Sequence, residues 1–153
     1  MADCVAMRPP TTRETTMPHA RLTGGCLCGA VRYAISGPSY LTGFCHCTSC
    51  RRASGVPAVV WGTYAEGDFA VTQGDPAIFA SSPGVERSFC PRCGRPLAYR
   101  ADFLPGLVDV TVCSLDDPAA APPTMHYWCA ERLAWLRLAD ALPEHPGFPP
   151  EPA

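Results

Sequence analysis

Seven of the ten cysteines occur in three short clusters with spacings suited to metal binding. The clusters are Cys26 and Cys28 in GGCLCGA, Cys90 and Cys93 in FCPRCGR, and Cys45, Cys47 and Cys50 in CHCTSCR. A C-x-C or C-x-x-C spacing lets two sulfurs share one small ion, and four thiolates complete the tetrahedral set that zinc prefers. The two pairs predict one closed site of four sulfurs. The triple predicts a second site with one coordination position open to chemistry.

The four sulfurs of the closed site are expected to stabilise the fold rather than to catalyse, because such a site is saturated. Residues i and i+2 of an extended segment face the same way, so Cys26 and Cys28 can reach one ion from a strand or its end. Gly94, directly after Cys93, suits the positive φ of a zinc knuckle. The alternative interpretation is a set of redox dithiols or disulfides.

The fourth ligand of the triple is not evident from its immediate sequence. His46 lies between two of the cysteines, where an extended segment would turn its side chain away, which favours a role beside the ligands or at the surface. Cys113 and Cys129 are candidate distant ligands. Each follows an apolar residue, so a buried, inert thiol is the preferred interpretation of both.

Short β-like segments separated by turn residues predict a mainly β domain that positions these clusters. Alternation in 31–35 and 108–112 predicts strands with one face buried and the other left to solvent, as in stacked antiparallel sheets. Residues 48–54 are the one helix-like turn, and 130–141 suit either a strand or a short helix. We expect an irregular lead over 1–20, which contains Cys4, a domain over 21–142, and a proline-rich tail over 143–153.

Composition excludes several classes of protein. The net charge of -2 and the absence of a basic run argue against a nucleic-acid partner. No apolar stretch approaches the roughly 20 residues of a membrane-spanning helix. The first twenty residues lack a secretory h-region, so we expect a cytoplasmic protein with reduced cysteines.

The chain resembles the glutathione-dependent formaldehyde-activating enzymes and the related centromere-protein-V-type proteins, which share an Mss4-like zinc fold. The resemblance covers about residues 21–142 and rests on GGCLCG at 24–29, CHCTSCR at 45–51, RSFCPRCG at 87–94, SLD at 114–116 and Trp135. It implies twisted antiparallel sheets around two zinc ions, one structural, held by Cys26, Cys28, Cys90 and Cys93. The other is catalytic and held by Cys45, Cys47 and Cys50. Where the family commonly has glycine, this chain has Cys113.

The resemblance implies a carbon–sulfur lyase or synthase that forms or breaks S-hydroxymethylglutathione from glutathione and formaldehyde, with another thiol as a possible substrate. Arg51 and Arg52 either bind a substrate carboxylate or offset the charge of the cysteine site. Two alternatives are a non-catalytic zinc-stabilised thiol carrier or interaction module, and a redox or metal-handling protein. Two groups are expected to have structural roles: Trp61, Tyr64 and Phe79 in packing, and Asp116 and Asp117 in a turn or cap.

Overall fold

The computed structural model describes residues 20–149, and it confirms the mainly β prediction. The strands there are β1 Leu22–Gly25, β2 Arg32–Ile35, β3 Leu41–Cys45, β4 Val59–Ala65, β5 Phe69–Gln73, β6 Ala77–Ser82, β7 Val85–Phe89, β8 Pro96–Ala101, β9 Leu107–Thr111 and β10 Met125–Tyr127. The α-helix of this part of the chain, α1, covers Thr48–Ser54, as predicted. No helix within 20–149 has the length and apolarity needed to span a bilayer. The lead, with Cys4, lies outside the described residues except for Ala20.

The strands form two sheets. The small sheet has the order β1-β2-β5, and the large sheet has the order β10-β3-β4-β9-β8-β7-β6. Neighbouring strands are antiparallel except for β10, which runs parallel to β3. The prediction of stacked antiparallel sheets is therefore confirmed, with this one parallel pair as an addition.

One face of the large sheet packs against the small sheet, and the second cysteine cluster lies on its other face. Tyr33 and Ile35 of β2 pack with Tyr64, Val108 and Val110 of the large sheet in the main core. The opposite face carries a second apolar cluster in which Cys45 and Cys50 pack with Val59, Trp61 and Tyr127. Because side chains alternate between faces along a strand, each strand of the large sheet serves both layers.

The alternation predicted in β9 is present, but the prediction that its polar face meets open solvent is wrong. Val108 and Val110 point into the core, whereas Asp109 between them is largely buried on the opposite face. That face is covered by the second cysteine cluster and by later parts of the chain. Asp109 therefore lines a cavity rather than the protein surface.

Residues 130–141 form neither of the predicted elements, apart from the end of a 3-10 turn at Cys129–Glu131. The segment has no continuous apolar face, since Trp135 is 68% exposed and Leu138 is 39% exposed, while Leu133 and Leu136 are half-buried. A short helix or strand is stabilised mainly by burying one face, and two half-buried leucines supply little of it. The tail has no strand or helix as far as residue 149, yet its backbone hydrogen-bonds to β10 and the residues that follow it.

Candidate metal centres and active site

The first cluster brings together cysteines from two turns that are far apart in sequence. Cys26 and Cys28 follow β1, and Cys90 and Cys93 lie between β7 and β8. All four sulfurs lie within 4.8 Å of one another, with Cys28 Sγ 3.6 Å from Cys26 Sγ and 3.8 Å from Cys90 Sγ. Sulfurs bound tetrahedrally at about 2.3 Å from zinc stand about 3.8 Å apart. The donor set therefore fits a metal ion of that kind.

The backbone around this cluster is shaped for close approach. Gly94 has φ of +72°, as predicted for the residue that ends a knuckle. A Cβ at Gly24 would lie 2.5 Å from the carbonyl oxygen of Ser114, so only glycine fits where β1 crosses that loop. Burial raises the pKa of the Cys26 thiol, but the Val31 amide and the neighbouring thiols lower it by more, to about 6. The same coupling raises the pKa of the Cys28 thiol to about 11, so Cys26 is a sulfur of this cluster that is already suited to the thiolate form a metal requires.

The second cluster is built by the end of β3 and the start of α1. Cys45 is the last residue of β3, Cys47 is the N-cap of α1, and Cys50 lies in its first turn. Cys47 Sγ accepts a hydrogen bond from the Cys50 amide at 3.3 Å, and Gly55 ends the helix with φ of +67°. The three sulfurs lie within 4.8 Å of one another, and no other His, Cys, Asp or Glu of residues 20–149 joins this group. Three donors suit an ion that keeps one position open.

The charge of the three sulfurs is partly balanced by Arg87 of β7. Its two terminal nitrogens each lie 4.0 Å from Cys50 Sγ, and its guanidinium carbon lies 4.8 Å from the centre of the Tyr99 ring. Hydrogen bonds from Cys45 and Cys50 lower the pKa of the Cys47 thiol, and Arg87 lowers it further. Cys47 is therefore the sulfur of this cluster that loses its proton first.

The three sulfurs open into a small cavity of about 210 Å³. Its wall combines aromatic rings with two acidic side chains, Asp109 and Glu131. Glu131 is engaged, since its Oε2 accepts the Thr48 amide at 2.6 Å. Asp109 Oδ1 accepts the Thr63 hydroxyl at 2.5 Å. Burial raises the pKa of Asp109 to about 6, and the Thr63 hydrogen bond lowers it only in part.

A larger cavity of about 760 Å³ adjoins the small one. The two share a wall of five residues: Ser49, Trp61, Arg87, Tyr99 and Phe103. Strand register explains how part of this wall arises. Asp109 pairs with Tyr99, Tyr99 with Arg87, and Arg87 with Phe79, which places four functional side chains in one row on one face of the sheet.

The order of the cysteines agrees with the comparison to known families. The sequence model of the glutathione-dependent formaldehyde-activating enzyme (GFA) family matches residues 21–131. The chain belongs to this family. The match includes all seven clustered cysteines and ends before the proline-rich tail.

Two individual proteins extend the comparison of this GFA-family chain. A curated Halomonas elongata protein named "Putative glutathione-dependent formaldehyde-activating enzyme" is 28% identical over 142 residues, which cover 85% of this chain and 90% of that protein. A crystal structure of a Rhodobacter sphaeroides protein superposes with a TM-score of 0.52 at 19% identity, covering 80% of this chain and 98% of the other. That structural likeness shows the fold alone.

His46 of this GFA-family chain is fully buried, so the alternative of a surface role is wrong. Its Nε2 lies 3.0 Å from His126 Nδ1, and His126 Nε2 in turn lies 3.0 Å from Asp140. The parallel pairing of β10 with β3 places His126 next to this segment and draws the imidazole inward. His46 does not join the three sulfurs, and its ring packs with that of His126 instead.

Cys113 and Cys129 belong to neither cysteine cluster. The preferred prediction of buried thiols is wrong for Cys113, which is exposed, and inexact for Cys129, which is half-buried. Cys113 lies in a 3-10 turn whose other two residues, Val112 and Ser114, point inward. The middle position of such a turn faces outward, which is why an apolar neighbour in sequence misled the prediction.

Arg51 and Arg52 have surroundings other than a substrate cavity. Arg51 donates to the His46 carbonyl oxygen at 3.3 Å and to Thr48 Oγ1 at 3.1 Å, which fixes the loop that carries the cysteines. Arg52 is exposed. Neither lines either cavity.

The other side chains given structural roles divide between packing and the cavities. Tyr64 is in the main core and Trp61 is buried, whereas Phe79 is 60% exposed at the edge of the large cavity. The cap prediction is confirmed for Asp117, whereas the Asp116 carboxylate forms a side-chain ion pair with Arg32. Asp116 accepts hydrogen bonds from Arg32 and Thr23, and Asp117 accepts the Ala119 amide at 3.1 Å.

Sequence reasoning missed Arg87, Tyr99, Asp109 and Phe148 as cavity residues. Arg87 was visible beside FCPRCG, and the polar residue within a β-like run marked Asp109. Nothing in the sequence indicated Phe148, which comes from the tail. Its ring packs edge-on against Trp128 with 5.8 Å between centroids, and the preceding Gly147 accepts the Trp128 amide at 2.9 Å. Phe148 thereby closes one side of the small cavity.

Proposed function

We propose that this protein is a zinc-dependent carbon–sulfur lyase or synthase that forms or breaks an S-hydroxymethyl thiol adduct, with glutathione or a similar thiol and formaldehyde as reactants. The observation that carries the proposal is a cluster of three sulfurs that opens into a small cavity, beside a larger cavity able to hold a thiol. Family membership supports the same reaction class. Cys26, Cys28, Cys90 and Cys93 would hold the structural zinc.

Cys45, Cys47 and Cys50 would hold the second zinc, which, when bound, lowers the pKa of a thiol in its open position. The protein's own residues supply the surroundings. Arg87 offsets negative charge at the sulfurs, and the rings of Trp61, Tyr99 and Phe103 give the shared wall an apolar surface. A small carbonyl compound would fit the 210 Å³ cavity next to the reacting sulfur.

Asp109 is proposed to carry the proton that the reaction moves. When a thiol adds to formaldehyde, a carbon–sulfur bond forms, the carbonyl π bond breaks, one proton leaves sulfur and one reaches oxygen. A carboxyl group with a pKa of about 6 can accept that proton and return it near neutral pH. In the reverse direction the same carboxylate takes the hydroxyl proton as the adduct divides.

We predict that Asp109→Asn makes the protein more stable and less active. The folded-state pKa of Asp109 lies above its ordinary 3.8, so the folding penalty is absent below that value, grows as pH rises to about 6, and is complete above it. The complete penalty on the folding free energy is about 3 kcal/mol, and asparagine should recover about 1–3 kcal/mol of it near neutral pH.

The exchange rate of this variant should fall by about tenfold, less than the 10²–10⁴-fold typical of general acid–base catalysis, because water can also exchange the hydroxyl proton. Urea unfolding and exchange NMR at the same pH measure both effects, with the exposed Asp102→Asn as the matched control. A variant with unchanged activity would remove Asp109 from the mechanism.

Exchange spectroscopy of formaldehyde with a panel of thiols that includes glutathione tests the proposed function itself. We expect the zinc-loaded protein to raise the rate of interconversion between free thiol and adduct above the uncatalysed rate. Three protein thiolates make a zinc ion electron-rich, and the uncatalysed addition is easy, so a carrier is the second candidate. Binding of the thiol with an unchanged exchange rate would identify the protein as that carrier.

A further inference from the structure

We infer that the large cavity selects a thiol with an apolar body and a single carboxylate, which binds to Arg87. This inference rests on the proposed function, because it assigns the thiol of that reaction to a chemical class. The reacting sulfur would lie at the cysteine cluster in the small cavity. The rest of the thiol would extend past the shared wall into the large one.

The size and walls of the large cavity favour an apolar body. Its volume of about 760 Å³ is within the 300–1,000 Å³ of small-molecule sites. Aromatic side chains contribute five of its wall residues: Trp61, Phe79, Phe89, Tyr99 and Phe103. The polar side chains of the wall, besides the Tyr99 hydroxyl, are serines and Arg87. A ligand buries most of its surface in such a site, so an apolar or aromatic body gains the most.

Arg87 is the one charged side chain among the described residues that line this cavity. It stacks on Tyr99, and its Nε donates to Ser81 Oγ at 3.2 Å, which fixes the plane of the guanidinium. None of the ion pairs found within 20–149 involves Arg87. An oriented guanidinium without a protein carboxylate can bind one from the ligand.

Glutathione is a poor match for these walls. It carries two carboxylates and one ammonium group, and so requires two cationic partners and an acidic one. Arg51 is held by the loop of the second cluster and Arg52 lies outside the cavity, which leaves Arg87 alone. No described aspartate or glutamate lines the large cavity to receive the ammonium group. Unpaired charges of the ligand would lose hydration without compensation.

Calorimetric binding to the full-length, zinc-loaded protein tests the class with four thiols. The probes are α-mercaptohydrocinnamate, its uncharged amide, mercaptoacetate and glutathione. We expect α-mercaptohydrocinnamate to bind about tenfold or more tightly than each of the others, because only it has both the ring and the single carboxylate. Tightest binding by glutathione, or equal binding by all four, would overturn the inference.

Arg87→Gln separates carboxylate binding from a general effect on the cysteine site. The variant should lose the roughly tenfold preference for the acid over its amide, beyond any weakening that the lost charge balance at the sulfurs imposes on both ligands. If Arg87 acts only by balancing the thiolates, both ligands should weaken equally, and the assignment to the carboxylate fails. Arg87→Lys should retain part of the preference, and the exposed Arg137→Gln, which lines neither cavity, should retain all of it.

Exchange NMR of each of the four thiols with formaldehyde distinguishes the thiol-class proposal from the lyase proposal. The expected binding order without any acceleration of exchange would leave the thiol class standing and refute the lyase. Accelerated exchange that is fastest with glutathione would leave the lyase standing and refute the thiol class.

Discussion

Cys90→Ser is expected to remove one of two zinc ions per chain and to lower the thermal stability of the protein strongly. Cys90 is fully buried, and its sulfur belongs to the cluster that joins the β1–β2 turn to the β7–β8 turn. Zinc binding contributes about 10–16 kcal/mol in zinc-finger peptides, whereas the whole stability of a domain is about 5–15 kcal/mol. Losing one of four thiolates should therefore lower Tm by about 10 °C or more.

Elemental analysis and thermal unfolding measure this result, and Cys113→Ser is the matched control. Cys113 is exposed and outside both clusters, so its variant should keep two zinc ions and the original Tm. Chelation of the wild type should reproduce the loss of Tm, which separates the metal from the cost of a buried hydroxyl. Fewer than two zinc ions in the wild type, or an intact fold in Cys90→Ser, would contradict the two-site assignment.

The cysteine clusters could be predicted from sequence because their information is local. A cysteine pair two or three residues apart converges on one point whatever the rest of the chain does. Only the meeting of Cys26 and Cys28 with Cys90 and Cys93 required the fold, and the preference of zinc for four thiolates made that meeting the expected one. The helix at 48–54 was likewise set by nearby residues, with Cys47 as its cap and Gly55 as its end.

The cavities could not be predicted because their walls are set by strand register. Asp109, Tyr99, Arg87 and Phe79 share a row only because four strands align in one particular way, and the sequence specifies no such alignment. His46 was misplaced for a related reason. The parallel strand β10, which brings His126 to it, arrives from eighty residues later in the chain. Phe148 depends on the return of the tail.

The tail adds a wall to the site that the family match does not include. The match ends at residue 131, whereas backbone hydrogen bonds attach 143–147 to β10 and the turn after it. Trp128, in that turn, has φ of +58°, a conformation that costs a non-glycine residue of order 1–3 kcal/mol. The tail segment that hydrogen-bonds to Trp128 through Gly147 is the one that also contains Phe148. The tail therefore contributes to the shape of the cavity as well as to the surface.

Cys47→Ser is expected to abolish accelerated exchange while leaving the fold intact. Serine is a preferred N-cap residue and can accept the Cys50 amide as the sulfur does, so α1 should persist. The hydroxyl cannot replace the most acidic thiol of the cluster as a metal ligand. We expect the rate enhancement to fall by about 100-fold or more, to background, since even residues that only support metal ligands are worth 10–100-fold.

The measurements for Cys47→Ser are zinc content, Tm and the exchange rate, each compared with Cys129→Ser. Cys129 is a half-buried thiol near the site that belongs to neither cluster, so its variant should behave as wild type. One zinc ion, a nearly unchanged Tm and background exchange would place the reaction at the three-sulfur cluster. Full activity in a folded variant with one zinc ion would instead show that the chemistry occurs elsewhere. The contrast with Cys90→Ser is then decisive, since the same cysteine-to-serine change removes stability at one cluster and activity at the other.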